Sequence, residues 1–155
     1  MSGTSTPLPL LGLAEELSTL DAPLGDRSLE LLVRHLLDRV ADAIVDLTQG
    51  RTDLSRPDLP APPHVPTGEL LLDRVACSAL AARCRRAAGV VAQWGQQAPV
   101  DTQPLADRVG TSLDLLAAGL QRLVQDVADE SPAAARQRLQ RTVRRAVAAL
   151  TAPAI

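Results

Sequence analysis

The chain has 155 residues, a formal net charge of −2, 46% hydrophobic residues and a single aromatic ring, Trp94. Its 27 Leu, 25 Ala and 13 Val are enough aliphatic mass for one domain to bury a core without disulfides or a structural metal. Composition excludes an aromatic core, and no apolar run approaches the ~20 residues of a membrane span.

Residues 1–7 read as a flexible tail. Leu10, Leu13, Ala14, Leu17 and Leu20 then recur at helical spacing, so a short amphipathic helix is expected to about residue 20, where Pro23 and Gly25 break the pattern. The next helix, about 28–49, carries Leu29, Leu32, Leu36, Val40, Ile44 and Leu47 on one seam and stops at Gly50, a C-terminal capping residue. Five prolines in "RTDLSRPDLPAPPHVP" forbid a helix over 51–66, which reads as a connecting or spanning loop.

Thr67 is expected to cap a long Ala-rich helix, about 68–96. "GQQAPVDTQP" turns the chain into another, about 103–130, with Leu105, Val109, Leu113, Leu116, Leu120, Leu123 and Val127 in nearly heptad rhythm. Ser131-Pro132 restarts the helix, Ser as cap and Pro in the first turn. The last helix has Leu139, Val143, Ala146, Val147 and Leu150 on one face. The expected fold is therefore all-α: a single-domain four-helix bundle with a short N-terminal helix and a Pro-rich loop between the first two long helices. Small residues on the 68–96 helix allow contact on more than one face, so this helix is expected to be central or shared with another subunit, with Gly110 and Gly119 of the next helix fitting against it.

Charge is uneven. Residues 1–73 hold twelve acids and five Arg, a balance of −7; residues 74–155 hold six acids and eleven Arg, a balance of +5. The two halves can neutralise each other inside one bundle or attract a partner. All sixteen basic residues are Arg, and Lys, Asn, Phe and Tyr are absent. This is the mark of a very G/C-rich, actinobacterium-like genome, so Arg by itself is no sign of phosphate recognition here.

Candidate sites are few. Cys77 and Cys84 share a helix face about 10 Å apart, too far for a disulfide. They read as core residues or as a soft-metal or ligand site inside the bundle. His35, Asp38, Asp42 and Asp46 align on the 28–49 helix, as a solvated ridge or a cation site, with Arg39 among them. His64 sits in the Pro-rich loop, where PxxP spacing marks a stiff segment. There is no GxSxG, P-loop, GxGxxG or HExxH, and the ridge lacks the Glu plus Glu-x-x-His set of di-iron bundles. Catalytic residues are not assigned.

Two features point to binding. Arg138, Arg141 and Arg145 centre opposite the apolar face of the last helix with Arg144 at the flank, and no acid falls between 136 and 155. Such a patch suits an acidic protein surface or, as a lesser alternative, nucleic acid, although no aromatic residue is placed to stack bases. Trp94 falls about 80° from the centre of its helix's apolar stripe, in the last turn, as a half-exposed lid or an interface anchor. It does not match the Trp-x-Gly turn of small secreted helical proteins, because Gly95 follows it directly.

The expectation is a non-enzymatic helical protein acting through protein–protein interaction, as a homo-oligomer, with Trp94, Arg138, Arg141, Arg144 and Arg145 as contact residues. No cofactor and no membrane partner is expected. The N-terminus lacks a basic, uninterrupted signal segment, and two Cys suit a reducing compartment, so the cytoplasm is the expected location.

Overall fold

The computed structural model describes residues 8–20, 24–25, 27–48, 72–97, 100–126 and 131–151. Among these are five α-helices and one 3-10 turn, and no strand: α1 (Leu8–Thr19), α2 (Arg27–Thr48), α3 (Arg74–Gln97), the turn Val100–Thr102, α4 (Gln103–Asp126) and α5 (Pro132–Thr151). The chain is all-α. The tail read at 1–7, the 51–66 segment with His64, and Gly50, Thr67 and Val127 lie outside the described residues.

Helix α1 buries Leu10, Ala14 and Leu17, and its last turn closes with Ser18 and Thr19 donating their hydroxyls to the Glu15 carbonyl. Gly25 then takes φ 92°, a left-handed conformation that a side chain disfavours, and its N–H donates to Glu30 at 3.1 Å. A second tie comes from α2. Arg34 donates to the Leu17 and Leu20 carbonyls, where the end of α1 presents unsatisfied acceptors, and pairs with Asp38 at 2.8 Å.

Helix α2 is buried more widely than its seam implies. Val33, Leu37, Ala41 and Ala43 are buried along with the six seam residues. The reason is its position: α2 packs on α1, α4 and α5 together. The remaining neighbours are α3 on α4, α4 on α5 and, more lightly, α1 on α3, so α1 links α2 to α3.

Helix α3 starts at Arg74 rather than at 68. Asp73 is the cap: its carboxylate accepts the Ala76 N–H at 3.0 Å, and its carbonyl accepts the Cys77 N–H at 3.0 Å. The Asp73 N–H in turn donates to the Leu24 carbonyl at 2.7 Å, tying this helix start to the α1–α2 turn. Helix α5 begins as its sequence suggests, with the Ser131 hydroxyl accepting from Ala134 N–H at 3.1 Å and Pro132 in the first turn.

The apolar seam of α4, from Leu105 to Leu123, is buried against the chain's own helices. That near-heptad rhythm is therefore core spacing and is not open to a second chain. No helix among the described residues is long and apolar enough to cross a membrane.

Candidate functional site: two grooves flanking α4

The residues singled out from the sequence separate into three groups in space. Cys77 and Cys84 are buried, free thiols facing the core. Burial, with Asp73 nearby, pushes the Cys77 thiol up to about 11, and burial with Asp114 pushes Cys84 up to about 12. Both stay protonated near neutral pH, which makes them poor ligands and poor nucleophiles. Among the described residues no three His, Cys, Asp or Glu side chains come together to hold a metal ion.

On α2, Asp38 and Asp42 are exposed, and His35, Arg39 and Asp46 are half-buried. The ridge is interleaved with cations, since Arg34 bonds to Asp38 through Nε at 3.1 Å. Trp94 is half-buried and packs against the core. Its indole N–H lies in the buried part without a hydrogen-bond partner, so the polar edge of the ring points inward. Trp94 lines neither groove described next.

The first groove runs between α4 and α5. Gly119 forms its floor because the two helices nearly touch there: a Cβ at Gly119 would stand 2.6 Å from Thr142 Cγ2. Gly119 thus serves α5, and the expected fit against α3 is not what this position does. Thr142 is held by donating its hydroxyl to the Arg138 carbonyl at 3.1 Å, and Arg138 reaches across to donate to the Arg122 carbonyl at 3.2 Å. Arg122, Arg138, Arg141 and Arg145 surround about 280 Å³ of space, with no carboxylate in the lining among the described residues. Three of these arginines were legible as the α5 stripe. Arg122 enters from α4. Arg144 is exposed but lies outside this lining. Arg136, the fifth basic residue of α5, is only 3% exposed and belongs to the interior.

The second groove lies between α3 and α4. It spans about 480 Å³ between Arg85, Gly89, Ala92, Asp107, Gly110 and Asp114. A neighbouring hollow of about 420 Å³ shares Ala92 and Asp107 with it and continues past Gly95 to Gln96 and Gln103. The helical glycines here differ in kind. A Cβ at Gly95 would meet Ala106 Cβ at 3.2 Å, so close packing within the chain favours glycine there. A Cβ at Gly89 or Gly110 would meet nothing within 4 Å.

One end of this face is tied by Arg85 donating to Gln121 at 2.6 Å, while Arg86 lies 3.7 Å from Glu16 of α1. The latter pair is one place where the acidic and basic halves of the chain neutralise each other. No family model, curated protein or solved structure matches this chain.

Proposed function

We propose that this chain is a non-enzymatic helical-bundle protein, built on the four long helices α2–α5 with α1 closing one side, that acts by binding protein. Its first partner is a second copy of itself. The observation that carries this reading is the pair of unpacked glycines, Gly89 and Gly110, on the two sides of one open groove. Glycine inside a helix costs about 1 kcal/mol relative to alanine. At Gly95 and Gly119 a neighbour within the chain explains it, whereas at Gly89 and Gly110 none does.

A second copy seated on this face supplies the missing reason, because small residues let two helix pairs approach closely. The groove also carries both charges, Arg85 toward one end and Asp107 toward the other. A two-fold axis through its centre sets each copy's Arg85 opposite the other's Asp107, as an isologous contact requires.

Sedimentation velocity tests the reading. Arg85→Asp and Asp107→Arg should each shift the wild-type species toward monomer, and the double variant should restore it. A wild-type chain that stays monomeric at tens of micromolar sinks the proposal.

The exposed guanidiniums of Arg141, Arg144 and Arg145 form a further contact surface in this reading, and Trp94 acts as a lid on the core that stiffens the end of α3. The reading calls for no cofactor. Two free thiols suit a reducing compartment such as the cytoplasm.

A further inference from the structure

A two-fold contact sets a face against itself, so any charge in excess on that face is doubled rather than matched. Among the described residues, the charged side chains lining the α3–α4 groove are Arg85 of α3 and Asp107 and Asp114 of α4. The Cys84 thiol of α3 lies close to Asp114 and stays protonated. Helices α2 and α5 also pack on α4 and contribute no residue to this lining, and no histidine belongs to it. Asp114 forms no ion pair among the described residues, and Arg85 is turned away from it, donating to Gln121 at 2.6 Å further along α4.

Helix register decides which charges meet. The short Val100–Thr102 turn makes α3 and α4 antiparallel, and a Cβ at Gly95 would stand 3.2 Å from Ala106 Cβ, so these two residues are level. Asp107 is then level with Trp94, and Asp114 with Ala87. A two-fold axis that pairs each copy's Arg85 with the other's Asp107 crosses midway between the levels of 85 and 94, beside Gly89. At about 1.5 Å of rise per residue, Asp114 stands about 4 Å along the helices from this axis. Its symmetry mate stands as far on the other side. The two carboxylates therefore come within about 8 Å of each other along the helix direction. Each Arg85 is engaged by Asp107 of the other copy, which leaves the Asp114 pair as the excess.

We infer, on the reading that the α3–α4 groove is the self-association site, that this association is proton-linked: closing the groove sets the Asp114 carboxylates of the two copies beside each other at the two-fold axis. Two like charges brought together while losing water favour the neutral form of one of them. The assembled form thus takes up a proton that two separate chains do not. The sign follows: association strengthens as pH falls and weakens as both carboxylates ionise. Gly89 and Gly110 let the faces close, and the Asp114 pair sets the pH range in which they close tightly.

Sedimentation velocity of the full chain from about pH 7.5 to about pH 5, at a constant low ionic strength, tests the inference. The wild-type dissociation constant should fall roughly threefold or more over this range. Asp114→Asn should tighten association roughly three- to tenfold at neutral pH and remove most of the pH dependence. Asp42→Asn removes the same charge from the exposed side of α2 and should change the constant by less than about twofold. That comparison separates the local pair from the net charge of −2. A mixture of wild type and Asp114→Arg should form the mixed dimer in preference to either homodimer. Circular dichroism of the variants should match the wild type, since Asp42 and Asp114 are both exposed.

A wild-type chain that associates equally at both ends of the range, and that Asp114→Asn does not tighten, would overturn the inference and leave self-association standing. Equal tightening by Asp42→Asn would overturn it too, because overall charge would then account for the effect. A chain that stays monomeric at every pH would overturn the self-association reading itself, and proton linkage with it.

Discussion

Replacing Gly119 with alanine probes the contact that shapes the arginine-lined groove. The added methyl would stand 2.6 Å from Thr142 Cγ2, 3.3 Å from its Cβ and 3.4 Å from its Oγ1. The first distance is about 1 Å inside ordinary carbon–carbon contact. Thr142 gives way poorly, since β-branching stiffens its side chain and its hydroxyl is bonded to the Arg138 carbonyl at 3.1 Å. Overpacking of this kind costs about 1–3 kcal/mol, with this geometry in the upper part of the range. Gain in helix propensity offsets about 1 kcal/mol.

The net expectation for Gly119→Ala is a loss of about 1–2 kcal/mol, or roughly 2–8 °C in Tm for a chain of this size. Urea denaturation at low protein concentration should show a lowered midpoint with unchanged slope. In the Thr142→Ala background the same substitution should be neutral or stabilising, giving a coupling of about 1–3 kcal/mol. A Gly119→Ala chain at least as stable as wild type would refute the close α4–α5 approach, and with it the floor of the groove.

Arg34→Ala removes the donor to the Leu17 and Leu20 carbonyls; a loss of about 1–3 kcal/mol is expected, with α1 amides exchanging faster by hydrogen-exchange mass spectrometry. Ser112 Oγ is buried without a partner, so Ser112→Ala should be neutral or stabilise by up to about 1–2 kcal/mol in urea melts. The raised thiols of Cys77 and Cys84 predict an alkaline loss of stability. The folded state holds these protons when the unfolded thiols, near 9.0, have released theirs, so stability falls as pH rises from about 9 toward 11 and 12. Cys77→Ala and Cys84→Ala should flatten that fall, and an unchanged pH slope in the double variant would exclude the thiols as its source.

Local chemistry made some boundaries legible and hid others. Ser131 with Pro132 has one reading, and the structure follows it. In "TGELLLD" both Thr67 and Asp73 can cap a helix. The expected start follows Thr67, whereas Asp73 is fixed as cap by bonds to Ala76 and Cys77 and by its tie to Leu24, a long-range contact that no local pattern contains. The seam of α4 was legible, but periodicity cannot tell an intramolecular neighbour from another chain. The α5 arginine stripe was legible for the same reason that a groove was not: Arg122 joins it only through the packing of α4 on α5. Arg136 carried a usable signal, since it continues the buried spacing of Leu139 and Val143. Its charge masked it.

Self-association through the α3–α4 face is the central claim, and native mass spectrometry of three chains tests it directly: wild type, Gly89→Leu and Gly110→Leu. Both glycines face open space within the chain, so leucine should leave the fold intact and block only the approach of a second copy. The account predicts wild-type masses at whole multiples of 16.3 kDa above one, and single-chain masses for both variants with unchanged helicity. Variants that assemble as the wild type does would contradict it.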